Sequence, residues 1–380
     1  MTIWESTRCE RVLSVVSCQL SVKQKRMDWM RLVEIGRFAV LVFVLVSALS
    51  LAQVNSAAAV PSKIPVSGST LTLRAVSTTA IASEVGGAFM NPSKCDADGN
   101  LYIRKLATDR PLLGPVVKID PDGKRTALFD PAAFSQLALD RADTFSPAPD
   151  GGMYQIAQVG VLRPRIYVLH FSSDGSPSSS TLLDADLEVY TFAAFADGNF
   201  LVSGVKRDVQ NKKDRGRNFT AVFSADGREL AQLTFQEEKT PGKQKSDQAT
   251  TAPTLDLADA EVGSDGNLYV MRGSLPAQVY VITTSGKIAK TLRVAAPQPS
   301  GAPAGFHVSG NRLAISFWND ETQSQTVLVA DAQNGRKIET YAGAGELGPS
   351  FACYSANEGV FTFLKLGDGN ALQVIRAEAQ

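Results

Sequence analysis

Two histidines, His170 and His307, are the only imidazoles in the chain. An imidazole is the side chain that most readily changes charge near neutral pH. His307 lies in GFHVSG, a segment that reads as an innermost strand facing a central channel, so it is the candidate for an acid, a base or a metal ligand. His170, in IYVLHFSSDG, reads as a packing or rim residue. No G-x-S-x-G elbow, H-E-x-x-H pair or Cys/His metal spacing accompanies either one. No resident metal or cofactor is therefore expected.

A second group of candidates is basic. Residues 206–217 (KRDVQNKKDRGR) gather Lys206, Arg207, Lys212, Lys213, Arg215 and Arg217 against two acids. Such a cluster suits an anionic polysaccharide, a phospholipid headgroup or an acidic partner, and it equally suits a solvated hairpin tip. Trp318, beside Phe317 and ahead of Asn319 and Asp320, has the chemistry to stack on a sugar ring or a peptide, or to cap a core. Cys95 and Cys353 read onto innermost strands of the first and last repeat units. Two states are open to them: a disulfide worth up to about 4 kcal/mol by loop closure, or a pair of buried thiols.

Acidic turns complete the inventory. DADGN and DPDGK resemble calcium loops, but counting from Asp96 puts Leu101 where the loop needs Gly and Ala107 where it needs Glu. They read as turns.

The elements that position these residues come from a repeat. A turn followed by an apolar strand recurs as DGNLYI, DGGMYQI, DGNFLV, DGNLYV, SGNRLAI and EGVFTF, with glycines at 99, 151, 198, 266, 310 and 359. The steps are 52, 47, 68, 44 and 49 residues, and the long one contains a polar insertion of loop composition, residues 236–252. A second turn follows in five units, at Gly123, Gly175, Gly227, Gly286 and Gly335. Turns of this kind between period-2 apolar runs signal β-hairpins. In the fourth unit four strands are readable, near 260–263, 267–271, 278–283 and 287–294. The expected fold is thus all-β, a six-bladed β-propeller with four-stranded antiparallel blades. The sixth unit stops after three strands. Residues 70–76 (TLTLRAV) are expected to dock as its missing outer strand and close the ring.

The pairing of DGNLYV with VYVITTSGKIAKTL, and of NLYI with VVKIDPDGKRTALF, resembles the NHL-like and TolB-like six-bladed propellers over residues of roughly 70–380. Propeller lactonases of similar architecture hold a central calcium with Glu, Asn and Asp from inner strands. The inner strands here read TFSPAP, TFAAFA, GFHVSG and SFACYS, poor in such ligands, which counts against a lactonase while leaving Asp96, Asp259 and Glu261 open for such a role.

Composition sets the remaining bounds. Residues 38–52 are a run of 15 apolar or small residues behind Arg31 and Arg37 and ahead of Ala57-Ala58-Ala59, the pattern of a cleaved signal peptide. Met27 or Met30 is the expected start, residues 1–59 the leader, and residues 60–380 the propeller. The chain is then extracytoplasmic, in the periplasm or secreted, with a membrane tie only through an uncleaved leader. The 38 basic and 38 acidic residues of the full chain become 31 and 34 without the leader, so no global field favours nucleic acid. The long connections, at 105–115, 203–218, 236–258, 295–305 and 319–325, would share one face. The expectation is an exported monomer, a non-enzymatic binding or scaffold protein. Its partner would be a protein, peptide or saccharide met on that long-loop face; the alternative is a propeller hydrolase or lyase with a site at the central channel.

Overall fold

A computed structural model describes residues 70–81, 89–106, 109–161, 164–183, 187–206, 216–235, 257–273, 276–297, 303–319, 321–343, 345–368 and 371–380. The chain divides into two units, Met1–Val66 and Ser67–Gln380, and every described residue belongs to the second. The leader lies outside the described residues, as do Arg207, Lys212, Lys213 and Arg215 of the basic cluster.

Among the described residues the secondary structure is strands and two short 3-10 turns, Pro131–Ala133 and Gly345–Leu347, without an α-helix. The first strand, β1 (Thr70–Ala80), is set apart from its sequence neighbours. Four antiparallel sheets follow the chain. They are β2 (Phe89–Cys95), β3 (Leu101–Lys105), β4 (Val116–Ile119) and β5 (Arg125–Phe129); then β6 (Arg141–Pro147), β7 (Met153–Val159), β8 (Arg165–Phe171) and β9 (Pro177–Leu182). Next come β10 (Leu187–Ala194), β11 (Phe200–Lys206), β12 (Arg217–Phe223) and β13 (Glu229–Gln232); then β14 (Leu257–Val262), β15 (Leu268–Arg272), β16 (Ala277–Ile282) and β17 (Ile288–Val294). An eight-stranded sheet holds the rest. Its antiparallel run β18 (Pro303–Ser309), β19 (Arg312–Asn319), β20 (Ser324–Asp331), β21 (Lys337–Gly343) is joined through β1 to β24 (Leu372–Ala379), β23 (Val360–Leu366) and β22 (Ser350–Ser355).

The arrangement is propeller-like. The leading strands β2, β6, β10, β14, β18 and β22 lie side by side in that order, and β22 lies against β2. Apolar cores fill the spaces between successive sheets, such as the one built by Tyr102, Phe129, Phe145, Met153 and Phe171 between the first and second. Another packs Ala314, Val327 and Val329 against Phe351, Phe361 and Phe363, so the two halves of the eight-stranded sheet face each other. Middle strands such as β11 are buried on both faces, which is why they read as continuous apolar runs rather than alternating ones.

The expected N-terminal strand pairs antiparallel with β24, from Leu73 opposite Ala379 to Ala80 opposite Gln373, four residues further than the sequence suggested. It also pairs parallel with β21 over Thr70 to Leu73, which fuses the two halves into one sheet. In the fourth sheet β14 begins at Leu257, ahead of the expected 260, and so takes Asp259 into the strand.

The second-turn glycines have a purpose that the sequence hid. Each presses on the outer strand of the preceding sheet. A Cβ on Gly227 would sit 2.1 Å from the Leu182 carbonyl oxygen at the end of β9, at φ +86°. Gly123 meets Thr79 and Ile81 in the same way, so β1 stands to the first sheet as β9 stands to the third. Gly227→Ala therefore combines backbone strain with a clash against main chain, and should lower stability by about 2–3 kcal/mol in urea unfolding. An unchanged midpoint would contradict this close approach.

Candidate functional site

The leading strands have one edge without a backbone ladder, and buried N–H and C=O groups there need partners. Each of these strands is bulged where it pairs with the second strand of its sheet, which bends it and re-aims its side chains. Side chains then stitch the ring. The Ala194 N–H donates to Ser146 Oγ at 3.1 Å, and Thr191 Oγ1 donates to the Leu257 carbonyl at 2.9 Å. The Val308 N–H donates to Glu261 Oε2 at 3.0 Å, the Ala356 N–H to Ser309 Oγ at 3.0 Å, and Tyr102 Oη to the Gly151 carbonyl at 3.1 Å. The remaining link, β2 to β22, is covalent: Cys95 and Cys353 form a disulfide with their Cα atoms 5.9 Å apart. Of the two states left open by the sequence, the bonded one is present.

Charged groups meet at the centre of this ring. Lys94 of β2 reaches three strands round to β14, where it forms an ion pair with Asp259 and donates to the Ala260 carbonyl at 3.0 Å. Both side chains are buried. His307 of β18 holds Nδ1 2.9 Å from Glu261 Oε2, and its Nε2 lies 3.4 Å from Cys95 Sγ. The other Glu261 oxygen, Oε1, is buried with no hydrogen-bond partner. Burial pushes the Asp259 carboxyl up to about 6, against the pull of Lys94 and with the help of the like charge on Glu261. Burial also works against the Glu261 carboxylate, but the charge and hydrogen bond of His307, then Lys94 and the Val308 N–H, outweigh it and hold that carboxyl below its ordinary value. Glu261 is thus the persistent anion, and Asp259 is the group that changes charge near neutrality.

Above the cluster lies a cavity of about 670 Å³. Lys94, Cys95, Glu261, His307, Cys353 and Tyr354 are among the residues of its wall, and first-to-second-strand turns form its rim. It opens at the end of the tight hairpins, opposite the long connections on which a ligand site was expected. The physical reason is that short turns leave the ends of the leading strands unroofed.

The other candidates lie elsewhere. Trp318 is half-buried near the end of β19, opposite Gln325, while Phe317 is in the core. Lys206 and Arg217 face each other where β11 ends and β12 begins, with Lys206 Nζ 5.0 Å from the centre of the Phe219 ring. His170 stacks on Tyr154 with ring centres 4.4 Å apart, away from the channel. Asp96 accepts the backbone N–H groups of Asp98 and Asn100 and pairs with Lys118 at 3.3 Å, so it organises a turn. Lys94 was missed by sequence reasoning. Its signal was a lysine beside Cys95 in a leading strand, the one lysine among the six leading strands.

No family model matches this chain, and no curated protein does. Solved structures similar to it include a protein of unknown function from Bacteroides caccae, 13% identical over 68% of this chain and 82% of that one, with a TM-score of 0.44. Virginiamycin B lyase from Staphylococcus aureus is 15% identical over 80% of this chain and 88% of that one, at a TM-score of 0.40. The calcium-binding protein regucalcin from Agrobacterium tumefaciens is 12% identical over 82% and 96%, at a TM-score of 0.43. These likenesses are too distant to assign an activity.

Proposed function

We propose that this chain is a six-bladed β-propeller of the NHL- and TolB-like kind, exported behind a cleaved leader, that binds a partner rather than converting a substrate. The observation that carries this reading is the state of the ring centre. Lys94 is spent on Asp259, and His307 and the Val308 N–H are spent on Glu261, so these ionisable groups hold β2, β14 and β18 together. A general acid or base must instead reach its substrate at hydrogen-bonding distance.

The docking surface in this reading is the long-loop end, which carries Lys206, Arg217 and Trp318; Arg207, Lys212, Lys213 and Arg215, the rest of the basic cluster in the sequence, lie outside the described residues. Its cations and its indole suit an acidic peptide, protein or saccharide. Polygalacturonate is a direct probe: binding should weaken with salt and fall at least tenfold in Lys206→Glu/Arg217→Glu/Trp318→Ala with no change in melting temperature. Equal binding by that variant would remove the rim from consideration.

One observation favours a hydrolase or lyase instead. Glu261 and His307 are on the wall of a cavity large enough for a small substrate, and Glu261 Oε1 has no partner. Turnover of a lactone or ester panel that disappears in both Glu261→Gln and His307→Ala would establish that reading.

A further inference from the structure

We propose that Cys95, Cys353 and His307 form a metal site of the zinc class once the disulfide is reduced, a property independent of partner docking at the opposite rim. The two cysteine sulfurs and an imidazole nitrogen are already gathered, all within 4.8 Å of one another. The Cys95 Sγ to His307 Nε2 separation of 3.4 Å is close to that of two ligands on one tetrahedral ion, roughly 3.5 Å for Zn–S near 2.3 Å and Zn–N near 2.0–2.1 Å. Binding then needs the two sulfurs to separate and the imidazole ring to turn.

The second shell is also present. His307 Nδ1 faces Glu261 Oε2 at 2.9 Å, which leaves Nε2 as the ligand atom of a carboxylate–histidine–metal triad; Cys95 Sγ now lies 3.4 Å from Nε2 and 3.6 Å from Nδ1, so the ring turns to aim Nε2 at the ion. Glu261 is fixed in turn by the Val308 N–H. All three ligands line the cavity, so the fourth position of the ion opens into it, as in sites that keep a water or a substrate there. Two thiolates with one imidazole select a borderline-soft cation such as Zn²⁺ over Mg²⁺ or Ca²⁺.

The chemistry balances with a dithiol as reductant. The dithiol gives two electrons and two protons to the Cys95–Cys353 bond and leaves as its own cyclic disulfide. The two new thiols then bind the divalent ion and release two protons to solvent. The bonded form has no thiolate to offer, so oxidation closes the site.

The test uses the full chain carrying Cys9→Ser and Cys18→Ser, reduced anaerobically with dithiothreitol, freed of it, and titrated with Co²⁺ and then Zn²⁺. The reduced chain should take one equivalent of Co²⁺ with the charge-transfer and visible bands of tetrahedral thiolate ligation, and Zn²⁺ should displace it. The oxidised chain and Cys353→Ser should show no such bands. His307→Ala should bind at least tenfold more weakly, and Glu261→Gln about tenfold. The proposal is overturned if the reduced, folded chain binds less than half an equivalent, or if His307→Ala gives the same affinity and spectrum. A sheet fold lost on reduction and not regained with metal, as followed by circular dichroism, overturns it as well.

Discussion

Deleting residues 70–80 is expected to yield a chain that aggregates instead of refolding. β1 satisfies the edges of two strands at once, seven residues of β24 and four of β21, and the Gln380 N–H donates to the Thr72 carbonyl at 2.9 Å. Without it, both become open edges of long strands, the geometry that templates intermolecular pairing. Leu73 would leave the core it shares with Phe361, Phe363 and Ile375, and Gly123 would lose the strand it packs against. Size-exclusion chromatography and circular dichroism check this, and a monomeric deletion variant with an unchanged melting temperature would sink it. A milder version separates the apolar anchor from the ladder. Leu73 is the one fully buried side chain of β1, and Leu73→Ala should cost about 2–4 kcal/mol while the ring still closes.

The second large effect is at the ring centre and depends on pH. Lys94→Met leaves the Asp259 carboxylate buried without its cation, a change that typically costs about 3–5 kcal/mol. Protonating Asp259 relieves that cost, so the sign can be worked out. In the wild type the Asp259 carboxyl titrates near 6 in the folded chain and near the ordinary 3.8 of an exposed aspartate when unfolded. A folded value above the unfolded one gives a stability contribution that is complete below about pH 4 and is lost as pH rises through 6. Roughly two units correspond to ~3 kcal/mol. Removing Lys94 takes away the pull that opposes burial, moves the folded value higher still, and extends the loss upward in pH. Urea unfolding should therefore find Lys94→Met close to wild type near pH 4 and most destabilised at pH 8. Adding Asp259→Leu should recover most of the loss at pH 8. A penalty that does not change with pH would mean that Asp259 is not the group left exposed to burial.

The distribution of what could be read from the chain follows from the physics. Turn chemistry is local, so the repeated Asp-Gly and Asn-Gly steps announced the hairpins, and every one of these glycines takes a positive φ. Strand ends were less legible. The bulges shift the alternation within each leading strand, and one such shift moved the start of β14 three residues ahead of the expected 260. Ring closure by β1 was visible as a missing fourth strand and a spare apolar segment, but its second partner, β21, leaves no trace in composition because a backbone ladder needs no particular side chain. The central cluster was visible only in part. His307 stood out as one of two histidines, and Cys95 and Cys353 as the two cysteines beyond the leader, yet their meeting with Lys94, Asp259 and Glu261 joins residues more than 160 positions apart. No local pattern encodes that distance. The cavity at the hairpin end was not read from the sequence because long connections attract attention, whereas short turns are what leave a channel mouth open.

The disulfide has a mechanical consequence. It ties residue 95 to residue 353, while the first and last described strands, β1 and β24, lie antiparallel with Leu73 beside Ala379. Tension applied at residues 70 and 380 peels this pair apart one hydrogen bond at a time, a mode that offers little resistance. Extension then stops at the covalent link. Only some fifty of the residues from 70 to 380 can be drawn out, roughly 180 Å of chain at about 3.5 Å each. The 258-residue span between the cysteines carries no load. Oxidised, the ring under tension is a short tether with a shielded body; reduced, it is a chain that can be unravelled sheet by sheet.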